Sequence, residues 1–376
     1  MKYPYSFDPR KRRAAKIYTR TKIINGMLNG FLVPVAFLAL FLYFGGSGLL
    51  LNTLPEGWIA VPLYAACFAL ILSAVQLPLR FYSSFIYEHK HKLSRQTLGA
   101  WAKDYAKSSA VSYAFSIAAI TGVYYIMSSY QPWWLLAGAL YLALMAALDY
   151  ASPVIILPFF YKLTPLKDRK YRSKILAICK KLGVNGISNV LIANESQRSV
   201  KANALFTGFG HTKRIVLFDT LMGNFTKSEI ETVIGHEVGH YLNRDILKGF
   251  LLETALIFPV LYACDSALRA FAPALGFAPY SIASLPLFML AYELIDFALM
   301  PLSSFYSRRM ESAADLFALD HIRKPVAQIS TEKRLADNAL QDHEPPAWAE
   351  ILMYSHPAAS RRIKMAEDWM RKNGKK

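Results

Sequence analysis

Six nearly unbroken apolar stretches, at 31–51, 58–79, 109–130, 133–161, 249–270 and 281–304, alternate along the chain with polar segments. About 20 helical residues cross a hydrocarbon core, so each stretch is predicted to be a membrane-spanning helix. The first starts some thirty residues in and lacks a small-residue cleavage site, which separates it from a secretory signal. Between the fourth and fifth stretches the periodicity changes. A helical pattern near 168–182 precedes short β-like runs at Asn189–Ala193, Ala202–Phe206 and Arg214–Phe218, with turn residues between them, so 162–248 is predicted to be folded rather than a linker. Thr226-Lys227-Ser228-Glu229 then reads as a capping box, and Ile230, Val233, Ile234 and Val238 mark the apolar stripe of the helix it starts. The chain divides accordingly into a membrane region with four spans and a polar loop at 80–108 (1–161), a folded segment that ends in the capped helix (162–248), two further spans (249–304) and a polar C-terminal part (305–376).

Composition agrees with that division. Hydrophobic residues make up 54% and charged residues 18% of the 376, which argues against an ordinary soluble protein. With six spans, segments 1–30, 80–108, 162–248 and 305–376 share one side and hold 42 of the 43 Lys and Arg residues; only Arg269 lies towards the other face. The positive-inside rule puts both termini and the segment 162–248 in the cytoplasm. The net charge of +17 points to anionic lipid headgroups rather than nucleic acid, because the basic residues flank spans and no aromatic-basic binding module is present. Cys67, Cys179 and Cys264 have no paired spacing, against a disulfide framework or a cysteine zinc cage. Asp149, Glu253, Asp265, Glu293 and Asp296 fall inside spans, where a carboxylate needs a bundle interior, a water-filled cavity, an interhelical hydrogen bond or an interface.

The helix after the capping box carries His236-Glu237-Val238-Gly239-His240. Positions four apart share a helix face, so both imidazoles can aim at one metal ion. Glu237 can reach a metal-bound water without itself ligating. Two buried structural histidines would leave Glu237 without a task. Catalytic zinc takes three protein ligands, so a further carboxylate or histidine is expected downstream. A third histidine six residues after the second would fall at Ile246, which excludes that variant. Glu311 and Asp315, just past the sixth stretch, are one helical turn apart. One of them can bind the metal while the other accepts a ligand histidine's free N–H. His89, His91, His211, His321 and His343 have no motif around them and are read as bystanders.

Tyr18–Lys22, Pro78–Thr97, Ala202–Gly208, Thr212–Leu221, Ser307–Asp315, and Tyr354–Pro357 followed by Arg362 join this motif. Together they make nearly the whole chain resemble the M48 metallopeptidases, and specifically the Ste24-type CAAX prenyl proteases. The resemblance implies one zinc ion per chain on His236, His240 and Glu311, with Glu237 as catalytic base. It also implies a substrate cleft lined by an edge strand carrying Asn203, with His356 and Arg362 completing the site. Two departures stand out. Family members show a Gly-Phe-Asn-like run where this chain has Lys92-Leu93-Ser94, and the eukaryotic ones carry an additional N-terminal span.

The expected architecture is an α-helical integral membrane protein of about six spans with a cytoplasmic, zincin-like α+β metallopeptidase domain, acting as a monomer. Asp315 is expected to hold a ligand histidine, His356 to donate to the tetrahedral oxyanion, and Arg362 to pack against a site carboxylate such as Glu311. An extended peptide could pair with the strand at Ala202–Gly208, contacting Ala202, Asn203 and Ala204. His240 lies about 13 Å of helix from Gly249, so the metal belongs at the membrane surface, where substrates are membrane-associated or lipidated proteins. The expected function is a zinc endopeptidase of the bilayer, trimming prenylated CAAX-type C-termini. The alternative is a membrane quality-control protease like the HtpX branch. A transporter or receptor is the non-enzymatic reading, and stoichiometric zinc lost on mutating Glu311 would not be expected of it.

Overall fold

The computed structural model describes residues 4–208 and 212–374; His211 lies outside the described residues. Six long apolar helices dominate: α1 (Pro9–Tyr43), α2 (Ala60–Lys90), α3 (Leu98–Ser129), α4 (Trp133–Phe160), and then α7 (Asp245–Phe271) and α8 (Leu285–Ile322). Between α4 and α7 lie β1 (Leu163–Pro165), α5 (Arg169–Lys181), β2 (Asn189–Ala193), β3 (Ala204–Thr207), β4 (Arg214–Phe218) and α6 (Lys227–Leu242). After α8 come α9 (Pro325–Asn338) and α10 (Ala359–Lys372).

The long helices overrun the apolar stretches because their polar ends continue beyond the hydrocarbon. One boundary moves inward. The stretch expected at 31–51 breaks after Tyr43, where Gly45 adopts φ 68°, and Gly46–Asn52 forms a separate short helix. Outward-facing Leu40, Leu70, Leu140 and Leu251 are exposed. That surface would be an aggregation liability in water, and it matches lipid tails. Of the five carboxylates expected inside the spans, Asp265 and Glu253 are accounted for by hydrogen bonds across the bundle. Asp265 accepts from Trp133 Nε1 (2.7 Å) and from the Tyr280 hydroxyl (2.9 Å), and Glu253 accepts from the Tyr141 hydroxyl (2.5 Å).

At one end of the bundle the strands form a sheet in the order β1-β2-β4-β3, with β2 and β4 parallel and the outer pairs antiparallel. The expected strand at Ala202–Phe206 is displaced: β3 begins at Ala204, leaving Ala202 and Asn203 in the extended approach to it. Asn203 works there as a local cap, its side-chain oxygen accepting from Ala204 N (2.8 Å). The predicted capping box starts α6, with Glu229 N donating to Thr226 Oγ1 (3.3 Å) and Thr226 N to Glu229 Oε2 (2.7 Å). Ile230, Ile234 and Val238 of α6 are buried against Val190, Ile215 and Leu217 of the sheet, with Val233 partly buried beside them. Each such side chain contributes about 1.5–3 kcal/mol.

Lys92 ends the turn after α2 at φ 57°, a left-handed conformation that favours glycine. The glycine usual there in the resembled family therefore suits the backbone that this chain adopts with lysine. Lys92→Gly is expected to be neutral or to stabilise by up to about 1 kcal/mol, whereas Lys92→Val should destabilise. Thermal unfolding of the detergent-purified variants checks the order.

Candidate metal centre

The site rests on two helices that cross closely. A Cβ placed on Gly239 would meet Ala314 Cα and the Phe317 side chain at 3.2 Å, and one on Gly235 would meet Ile322 Cγ1 at 2.5 Å. Glycine at these two positions lets α8 approach α6 closely enough for Glu311 to reach both motif histidines. His236 Nε2 lies 3.1 Å from His240 Nε2 and 3.3 Å from Glu311 Oε2, and His240 Nε2 lies 3.4 Å from Glu311 Oε1. Tetrahedral zinc with bonds of about 2.0–2.1 Å requires ligand atoms about 3.3 Å apart. The donor set fits that ion.

The outer hydrogen bonds point to the same conclusion. His236 Nδ1 donates to Asp315 Oδ1 (2.9 Å) and His240 Nδ1 to Asp245 Oδ2 (2.8 Å). With both protons committed outward, the two Nε2 lone pairs face each other, beside the buried and unpartnered Glu311 Oε2. One metal ion would satisfy all three. Burial lowers the pKa of His236, yet the neighbouring carboxylates of Asp315 and Glu311 push it up to about 10, another sign that the cluster draws positive charge.

Around this centre, Glu237 Oε2 accepts from Phe206 N of β3 (3.3 Å). Burial raises its pKa above the usual carboxylate value, although the two histidines act against the rise. His356 Nε2 stands 3.2 Å from Glu311 Oε1, and Ser355 Oγ lies 2.8 Å from its Nδ1; burial holds its pKa below the ordinary histidine value. Arg362 departs from expectation. Its guanidinium grips Asp315 through two bonds of 2.6 Å and reaches Glu332 at 2.9 Å, rather than packing on Glu311. The reason is position along the helix. Asp315 sits one turn beyond Glu311 on the same face of α8, and Arg362 of α10 meets the carboxylate at that level.

Ala202, Asn203, Ala204, His236, Glu237, His356 and Arg362 thus share the lining of one cleft, with a cavity of about 130 Å³. Strand β3 is an outer edge of the sheet. Antiparallel pairing of Leu205 with Val216, beside the bond from Phe218 N to Asn203 O (3.1 Å), leaves the backbone groups of Ala204 and Phe206 facing the cleft. The sequence reading missed Asp245 and Glu332. The spacing of Asp245 after His240 was available as a signal, but Glu332 becomes visible only once α9 folds against the centre.

A model of peptidase family M48 matches residues 165–370, and one described as CAAX prenyl protease N-terminal, five membrane helices, matches residues 5–162. Four long apolar helices, rather than five, occupy that second region among the described residues. The chain is 32% identical to the uncharacterized metalloprotease YhfN of Bacillus subtilis over 80% of this chain and 71% of that protein. It is 32% identical to a CAAX prenyl protease 1 homolog of Dictyostelium discoideum, covering 65% and 59%, and 33% identical to CAAX prenyl protease 1 of Saccharomyces cerevisiae, covering 51% and 44%. It therefore spans only about half of these two eukaryotic relatives. In structure it is similar to the crystal structure of S. mikatae Ste24p, with a TM-score of 0.82 over 96% of this chain and 89% of that one; at 22% identity this likeness speaks for the fold.

Proposed function

The chain belongs to peptidase family M48 and is a multi-pass membrane metalloprotease, and from that premise we propose that it cuts lipidated, CAAX-type C-terminal segments at a zinc centre on the cytoplasmic membrane surface. One observation carries this reading. The metal-ligand cluster is built directly on the bundle, with Glu311 inside α8 and His240 five residues ahead of Asp245, the first residue of α7. A centre so placed meets peptides held at the bilayer. The bias of basic residues supports the cytoplasmic side, and the ligand set, complete within one chain, supports a monomeric enzyme.

Zinc on His236, His240 and Glu311 would supply Lewis acidity to the scissile carbonyl and to water. Glu237 takes the proton of the attacking water and returns it to the leaving amine, a task that its raised pKa suits. His356 donates from Nε2 to the oxyanion, which its position beside Glu311 allows. Asp315, clamped by Arg362, and Asp245, paired with Lys248 (2.9 Å), keep the imidazoles turned towards the metal. The substrate backbone joins β3 as an added strand along Ala204–Phe206, where the Ala204 and Phe206 amides are held by Asn203 Oδ1 and Glu237 Oε2, with Ala202 and Asn203 at its entrance.

The test compares kcat/KM for a prenylated peptide and its unprenylated twin in vesicles. Each buried CH₂ contributes about 0.8 kcal/mol, so the prenylated peptide should be cut far more efficiently. Equal efficiency would remove the CAAX reading and favour membrane quality control of the HtpX kind.

A further inference from the structure

Tyr18, Lys22 and Glu88 stand outside the metal centre, and the structure gives them a common partner. Glu88 is buried at the end of α2, with the Tyr18 hydroxyl (2.6 Å) and Lys22 Nζ (3.0 Å) on Oε1 and Lys201 Nζ (3.0 Å) on Oε2. Tyr18 also stacks on Tyr87, with centroids 5.5 Å apart. Lys201 immediately precedes Ala202 and Asn203, and its carbonyl accepts from Thr220 Oγ1 (2.7 Å). The loop after α2 runs along the same segment. Val200 N donates to Leu93 O (3.1 Å), Arg95 N donates to Arg198 O (2.9 Å), and Ser94 bridges to Ser199. The stretch 198–201, which delivers the chain to edge strand β3, is thus held from the side by the connection between the second and third long helices.

We propose that Glu88 is a positioning residue for substrate: through Lys201 it fixes the backbone at 202–204, and with it the register and height of the edge that the peptide joins. Glu88 also borders a cavity of about 720 Å³. Both of its oxygens are already engaged, so its influence passes through Lys201 rather than through direct contact. Buried charged hydrogen bonds are among the stronger ones, and those at Glu88 link α1 and α2 to the catalytic cleft. The membrane bundle thereby sets the geometry of peptide capture. This inference rests on the reading of β3 as the substrate edge.

The test uses the full chain carrying Glu88→Gln, Lys201→Met or both, assayed with an extended peptide and by amide hydrogen exchange. Lys201 is partly exposed, so its variant guards against a folding failure of the Glu88 one. Each single variant should raise KM about tenfold or more while kcat stays within about twofold, and exchange at 202–207 should quicken. The double variant should add little to either single one, since both break one link. Unchanged exchange at 202–207 would overturn the positioning role itself. Faster exchange with unchanged KM would overturn it by a different route, because the edge would be loosened without substrate noticing, and the fault would lie in the strand-pairing reading. A loss of metal together with kcat would mean a structural effect on the centre and would likewise overturn it.

Discussion

Glu237→Gln is expected to leave metal content at the wild-type level while lowering kcat by about 10²–10⁴-fold, the range spanned by general acid–base catalysis. Glutamine keeps the length and the hydrogen bond from Phe206 N, but it cannot accept the water proton. His236, His240 and Glu311 are untouched, so the ligand cluster survives. Metal analysis and single-turnover kinetics on the same preparation decide the matter. Near-normal hydrolysis would remove Glu237 from the role of base.

Glu311→Ala should act on the other half of the site. It removes the only carboxylate among the three clustered ligands, leaving two histidines whose Nε2 atoms stand 3.1 Å apart with nothing to complete the coordination. Metal occupancy and activity should fall together to near background, and excess zinc should restore little. Asp315→Asn provides the contrast. A partner of a ligand histidine is expected to matter by about 10–100-fold in affinity, so added zinc should rescue much of that variant. Titration of both variants with zinc against a chelator separates the two roles, and a tighter-binding Glu311 variant than Asp315 variant would exchange their assignments.

How far the site can be read in advance depends on the range of the interactions that make it. His236 and His240 are legible because helical periodicity alone puts residues four apart on one face, and Thr226 and Glu229 announce where that helix starts. Glu311 lies on the second long helix after His240, so its partnership with His240 follows from family likeness and not from spacing. Asp245 escaped notice because its direction depends on Arg244, whose left-handed φ of 56° turns the chain back towards His240. Gly239 reads as an ordinary motif position until α8 is seen against it. Arg362 found Asp315 rather than Glu311 because a single helical turn decided which carboxylate met α10. The spans were legible from composition, whereas the break after Tyr43 depended on the backbone of Gly45.

Helix α8 runs unbroken for 38 residues from Leu285 to Ile322 and carries Glu311 on the same rod that crosses the bundle. Its length is therefore not free to drift. One residue inserted between Leu285 and Glu311 would rotate everything beyond it by about 100° and advance it by ~1.5 Å, turning the carboxylate away from both imidazoles. Seven inserted residues would nearly restore the direction but overshoot by about 10 Å. A lineage moving into a thicker membrane could not lengthen this span by small steps without passing through inactive intermediates. Adaptation to bilayer thickness must fall on tilt, on the lipid-facing side chains and on the other long helices, and α8 should keep a fixed residue count wherever the centre still works.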